Sequence, residues 1–179
     1  MTVDAFGEAN SNTFSVGKKN KIDNIWHQDF PQSLGGFYSA FTEFLGFKAQ
    51  VDEWKLMGAS SYGNSKKYYA KIRGLVNLNN NGFELDLSYF NFYQFHRPGR
   101  FTTKLSKLLG IQPNKPGVPL NKNYYDIAAS AQAIFEDIYI HLLRLLKKKT
   151  NLNKLVISGG SALNCVANGK ILNKTGFKE

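Results

Sequence analysis

Sulfur, proline and acid are all scarce in this sequence. Its 179 residues include one cysteine, Cys165, and 5 prolines. A lone thiol excludes an intrachain disulfide and any metal site built from several cysteines. The three histidines, His27, His96 and His141, show no HExxH-type spacing. No apolar run has the length needed to cross a bilayer, so no membrane partner is expected. The opening MTVDAFGEAN lacks the basic and apolar regions of a secretory signal. A cytoplasmic location is the expectation. There is no internal repeat and no low-complexity tract.

Aromatic side chains, by contrast, are plentiful: 14 Phe and 9 Tyr, within a chain that is 42% hydrophobic and 20% charged. This is the composition of a globular chain, and the length suits one ordinary domain with a core. Lys and Arg number 23 against 13 acids, a formal charge of +10. Such an excess suits an anionic partner. The basic residues are scattered, however, and the tightest run, Lys147-Lys148-Lys149, falls where a helix should end, a position the helix dipole favours for cations. A basic nucleic-acid-binding module is one alternative reading, disfavoured because no RNP, KH or zinc-finger signature is present.

The patterning predicts a β-hairpin or meander first: strands over Thr2 to Ala5, Thr13 to Val16 and Ile22 to Trp26, with a turn at Gly17-Lys18-Lys19-Asn20. Ser33 opens a helix whose Leu34, Phe37, Tyr38, Phe41, Phe44 and Leu45 recur at spacings of three and four, and Gly46 ends it. Residues Val51 to Gly63 read as a Gly/Ser-rich connector and Lys66 to Leu78 as a helix. Asn79-Asn80-Asn81-Gly82 is a turn, followed by a strand from Phe83 to Tyr89. Phe101 to Leu109 is a short helix, and Gln112 to Asn123 a loop with three prolines. A long apolar stripe from Ile127 to Leu146 predicts a helix over Tyr124 to Lys149. The end reads as a buried-type strand, Lys154 to Ser158, a Gly159-Gly160-Ser161 turn and a helix from Ala162 to Leu172.

That last unit carries the strongest chemical signal. Two glycines let a ligand approach the backbone, and a helix start offers unpaired N–H groups to phosphate. Asn164 on the first turn is placed to reach a ribose or phosphate. The bland alternative is a tight turn that needs glycine only for its geometry, and the pattern by itself leaves both open. Neither the Walker A loop nor the dinucleotide fingerprint is matched. Asp4 sits at the end of the first strand and Glu8 in the loop after it, where carboxylates can hold a metal or orient a water. Glu53 and Lys55 flank Trp54, as an anion contact or a solvated pair. His141 reads as a packed histidine, and Cys165 as a small core residue without a basic partner.

Taken in order, FPQSLGGFYSAFTEFLGF, VDEWKLMGASSYG, DIAASAQAIFEDI and LVISGGSALNCVANGKIL resemble the carbamoyltransferase family of NodU-type nodulation enzymes and antibiotic O-carbamoyltransferases. TVDAFGE resembles the family's TVDGxGE element. The match runs over nearly the whole chain and is weakest at about residues 90 to 122. The resemblance implies an α/β fold, part of an ASKHA (actin-like ATPase, ribonuclease H-like) domain with a mixed sheet and flanking helices. It implies ATP and iron as cofactors. The reaction implied moves a carbamoyl group from carbamoyl phosphate, through carbamoyl-adenylate made in a YrdC-like domain, to a hydroxyl of a small-molecule acceptor. Asp4 corresponds to the aspartate of the VDG element, the metal or carbamoyl-adenylate contact. Gly159, Gly160 and Asn164 correspond to the nucleotide-binding loop, and Gly35, Glu53, Lys55 and Gly58 to other motifs near the nucleotide. Ala5, Gln32, Ser60-Ser61 and Ser161 depart from the family pattern, and the departures at Ala5 and Ser60-Ser61 support a second alternative, a non-catalytic remnant that binds a partner. The chain begins after the family's histidine-pair region and ends before its YrdC-like domain. Both ends are expected to be cuts, and the isolated piece is expected to be inactive.

Overall fold

A computed structural model describes residues 1–179 and shows an α/β chain with two small sheets. Strands β1 (Thr2–Val3), β2 (Asn10–Lys18) and β3 (Lys21–Asp29) form an antiparallel sheet in that order. The hairpin is longer than the apolar alternation implied. Register shifts between Asn10 and Asn12 and between Phe14 and Ser15 break the period that a sequence pattern relies on. Helices α1 (Leu34–Phe44), α2 (Glu53–Ser60) and α3 (Lys66–Arg73) follow, then a second hairpin of β4 (Val76–Asn79) and β5 (Gly82–Leu85). After α4 (Thr103–Leu109), the long α5 (Lys122–Thr150) leads to two short helices, α6 (Cys165–Asn168) and α7 (Ile171–Thr175). No helix is long and apolar enough to cross a membrane.

The chain divides into two compact units. One comprises Met1–Gly35, Leu78–Glu84 and Glu136–Glu179; the other comprises Gly36–Asn77 and Leu85–Phe135. In the first, Val3 and Phe14 from the sheet and Ile138, Tyr139, Leu142 and Leu143 from α5 are buried. The fully buried Tyr139 donates its hydroxyl to Asn168 Oδ1 at 3.0 Å, and burial pushes its pKa up to about 12. Asn168 Nδ2 in turn donates to the Ala162 carbonyl at 2.7 Å, and Lys170 pairs with Glu136, so α5 holds the whole 160–175 stretch. His141 is the packed histidine that its position implied: Nε2 lies 2.8 Å from the Asn79 carbonyl and 3.0 Å from that of Gly82. A ring nitrogen facing two acceptors must carry a proton, so His141 clamps the β4–β5 turn and is not disposed to ligate a metal through that atom.

The second unit is built on aromatic packing. Phe37, Phe41, Phe44, Phe90, Phe135, Ile127 and Ile134 are buried, and Phe37 meets Phe41 and Phe90 with ring centroids 4.9 and 6.0 Å apart. Each such side chain contributes about 1.5–3 kcal/mol by leaving water. Asp126, nearly inaccessible on α5, accepts from the Asn64 backbone N–H at 2.8 Å and from Lys67 Nζ at 3.1 Å.

Several segments depart from the sequence reading. The expected connector over Val51 to Gly63 contains helix α2, which buries only Leu56 and Ala59 and so leaves no apolar stripe to read. The expected helix over Lys66 to Leu78 stops at Gly74, and its tail becomes β4, pulled into the hairpin by the Asn79–Gly82 turn. The strand expected through Tyr89 ends at Leu85; Asp86 then caps a 3₁₀ turn, Leu87–Tyr89, by accepting from Ser88 N–H. Lys154 to Ser158 is extended but joined to β1 by a single parallel bridge, Thr2 to Ser158. The single helix expected over Ala162 to Leu172 is a 3₁₀ turn, Gly160–Leu163, followed by α6 and α7, because Asn164 restarts the helix and Gly169 ends it.

Burial opposes ionisation of Asp126, but the Asn64 and Lys67 hydrogen bonds and the charges of Lys122 and Lys67 outweigh it and lower its pKa. The stabilisation is therefore complete above the unfolded carboxylate's value of about 3.9 and drains away as pH falls through the lower folded value. Asp126→Asn is expected to cost about 1–3 kcal/mol at pH 7. In urea titrations across pH, it is also expected to flatten the acid limb of the stability curve.

Candidate functional site

The site is built where β1 ends. Asp4 N–H donates to the Ser11 carbonyl at 2.9 Å, which fixes the backbone at the strand end. The Asp4 carboxylate is exposed, with Oδ1 accepting from the Ala5 N–H at 2.7 Å, and its other oxygen has no partner in the chain. Two distant segments meet this strand end. The first is the Gly159-Gly160 turn. Gly159 has φ 101°, a conformation that side chains other than glycine rarely adopt, and a Cβ there would lie 2.2 Å from the Val3 carbonyl oxygen. A Cβ on Gly160 would lie 3.3 Å from Asp4 Oδ1. The second segment is the start of α1. A Cβ on Gly35 would lie 2.6 Å from both the N and the Cα of Ala5, and 2.8 Å from Ser161 Oγ. The three glycines thus let three backbones converge beside one carboxylate.

Ser33 locks this arrangement. Its buried hydroxyl donates to the Ala5 carbonyl at 2.6 Å and approaches that of Asp4 at 3.2 Å. Sequence reasoning gave Ser33 only a helix-capping part and treated Ser161 only as a departure from a motif. Their site contacts are formed with residues far away in sequence, so no local pattern reports them. Asn164 is buried and caps α6, its Oδ1 accepting from the Ala167 N–H at 3.0 Å. The N–H groups of Gly160 and Ser161 find no acceptor within the chain. Two free donors on a glycine turn beside an exposed carboxylate can take an oxyanion on one side and a hydroxyl or cation on the other.

Glu53, Lys55 and Gly58 lie together on α2, in the second unit. Glu53 Oε1 accepts from Ser39 Oγ at 2.6 Å and from the Gln50 N–H at 2.5 Å, which ties down the loop before the helix. Lys55 pairs with Asp52 at 3.0 Å and lies over the Trp54 and Phe47 rings. The Lys55 hydrogen bond is the largest cause of a lowered Asp52 pKa. Gly58 differs from both neighbours: a Cβ there would meet nothing within 4 Å, so packing does not require glycine.

No group of three or more His, Cys, Asp or Glu side chains is gathered to hold a metal ion. Asp4 offers a single carboxylate, so the residues of this chain alone do not fit an iron site.

With this geometry in view, a family model described as Carbamoyltransferase N-terminus matches residues 1–179. The chain belongs to the carbamoyltransferase family and matches its N-terminal part. An uncharacterized protein of Synechocystis sp. is 36% identical over 99% of this chain. Nodulation protein NolO of Bradyrhizobium diazoefficiens is 31% identical over 96% of it, and nodulation protein NolNO of Sinorhizobium fredii 29% identical over 100%. The matched region is 29%, 29% and 24% of those three relatives, so the chain spans less than a third of their length.

The glycines separate into two kinds, which stability measurements distinguish. Gly159→Ala is expected to cost about 1–3 kcal/mol from backbone strain, and more from the clash with Val3. Gly58→Ala is expected to gain up to about 1 kcal/mol, the helix-propensity difference. Chemical-denaturation midpoints of the two variants should therefore move in opposite directions.

Proposed function

We propose that this chain is the nucleotide-facing part of an ASKHA-type domain in an ATP-dependent O-carbamoyltransferase. The observation that carries the reading is the convergence of Asp4, Gly35, Gly159 and Gly160 on the end of β1. That convergence joins a glycine turn with free N–H donors to an exposed carboxylate. Family membership supports carbamoyl transfer as the general activity.

In this proposal the Gly160 and Ser161 N–H groups hold phosphate oxygens of the nucleotide, where the absence of side chains lets the backbone come close. Asn164 fixes the turn from below. Asp4 faces the carbamoyl group of carbamoyl-adenylate. The acceptor hydroxyl attacks the carbamoyl carbon, the bond from that carbon to the adenylate oxygen breaks, AMP departs, and Asp4 takes the hydroxyl proton. Ser33 and Gly35 hold Asp4 in place from behind. Carbamoyl phosphate and ATP are the proposed source of the adenylate, formed in a part of the whole enzyme outside these residues. Iron would need ligands from outside the chain, and no step here runs through it.

Asp4→Asn in the whole enzyme is expected to lower carbamoyl transfer from carbamoyl-adenylate by about 10²–10⁴-fold, the range for losing a positioned proton acceptor. Nucleotide affinity and the denaturation midpoint should change little, because the carboxylate is exposed. Full activity in the Asn variant would remove Asp4 from the chemistry. A wild-type enzyme that binds no adenine nucleotide would remove the reading altogether.

A further inference from the structure

The β4–β5 turn and β3 bound a hollow of about 340 Å³, lined by Gln28, Asn79, Asn80, Asn81, Phe83 and Glu84. That is the lower end of the range for small-molecule sites, about 300–1,000 Å³. Phe83 is buried, so the polar lining is three asparagines, one glutamine and one carboxylate. No Lys, Arg or His is among them. Gln28 lies opposite Asn12, and Asn12 opposite Val3. The hollow is thus two strand spacings, about 10 Å, from β1 and is separate from the Asp4 carboxylate.

The protein orients these amides. Gln28 Oε1 accepts from the Phe83 N–H at 3.3 Å, Asn79 Oδ1 from the Asn81 N–H at 2.8 Å, and Asn81 Oδ1 from the Trp26 Nε1–H at 3.3 Å. Only the oxygen of an amide accepts from an N–H, so the identity of each NH2 group is settled. Those three NH2 groups have no acceptor in the chain, and the Asn80 amide has no partner at either end. The support beneath them is firm. His141 clamps the Asn79 and Gly82 carbonyls, and Trp26 stacks on Phe14 with ring centroids 4.0 Å apart. Gly82 has φ 127°, and a Cβ there would lie 2.4 Å from Gln28 Oε1 and 3.0 Å from Trp26 Cζ2. The turn therefore reaches β3 only through a glycine.

The lining selects a class of ligand. Three NH2 groups offer two N–H bonds each. Phosphate is poorly suited, because no cation faces it and Glu84 carries like charge. A metal ion is poorly suited as well: three amide oxygens are already occupied, and Glu84 is the one carboxylate. A hydroxyl matches both kinds of group, since its oxygen accepts from an NH2 while its proton goes to Glu84 or to the Asn80 carbonyl. Several hydroxyls fixed on one ring satisfy several amides at once at low cost in ordering. We propose that this hollow binds an uncharged polyhydroxylated ring, a sugar, at a site distinct from the one at the end of β1.

The test is a titration of the whole protein with methyl glucoside, methyl galactoside and methyl mannoside, following side-chain NH2 resonances. At least one glycoside is expected to bind saturably, with Kd about 1–10 mM, and to shift the NH2 signals of Gln28, Asn79 and Asn81. Gln28→Glu and Asn81→Asp keep the oxygens that bond Phe83 and Trp26 but remove the free NH2 groups. The double variant is expected to bind at least about tenfold more weakly with a nearly unchanged denaturation midpoint. Asn80→Ala removes a side chain that bonds nothing in the chain, and it is expected to weaken binding about threefold. Undiminished binding in either variant would overturn the proposal, as would the absence of saturable binding by any of the three glycosides. Binding that shifts the Gly160 and Ser161 amides instead would put the sugar at the end of β1 and overturn this site. Inorganic phosphate shifting the same NH2 signals at the same concentrations would make the hollow an anion site and overturn the sugar assignment.

Discussion

The seating of Gly159 on the Val3 carbonyl is the contact from which the candidate site is built. With only 2.2 Å between a would-be Cβ and that oxygen, the turn can lie on β1 only if it carries no side chain. This closeness places Gly160 beside Asp4 and Ser161 beside Gly35, and the N–H groups of Gly160 and Ser161 have no acceptor in the chain. The rest of the first unit serves this contact. The ladder from Met1 to Ser158 sets its height, and Tyr139, Glu136 and Arg144 on α5 hold the residues that follow it.

The energetics suit such a role. The convergence of three backbones costs conformational entropy, most of all at its glycines. Stability comes from elsewhere: the aromatic cluster around Phe37 and Phe41, the α5 stripe, and the buried Asp126 that anchors α3. Ser33 links the two demands, since its buried hydroxyl replaces water at two carbonyls of the site loop. A polar core group of this kind contributes stability and geometry together.

Much of this was legible in the residues. The α1 and α5 stripes, the Asn79–Gly82 turn and the order of the glycine motifs predicted the corresponding elements, because each signal is local and periodic. What escaped detection was nonlocal or aperiodic. Helix α2 buries two side chains, too few for a stripe. The β2–β3 hairpin is longer than its alternation because register shifts interrupt the period. The 160–175 stretch breaks where Asn164 accepts from Ala167, a capping bond that a propensity sum does not see. Among the site residues, Gly160 and Asp4 were named from motifs, but nothing local could show that they lie side by side. Ser33 was visible only as a cap.

The central claim is that the glycine turn and the end of β1 together receive the nucleotide. The most direct measurement is a titration of the whole enzyme with a nonhydrolysable ATP or carbamoyl-adenylate analogue, following backbone amide resonances. The account predicts that the Gly160 and Ser161 N–H signals move downfield, as amides do on gaining an anionic acceptor, with Asp4 and Ala5 perturbed alongside them. Saturable binding that leaves those amides unmoved while shifting residues elsewhere would contradict it.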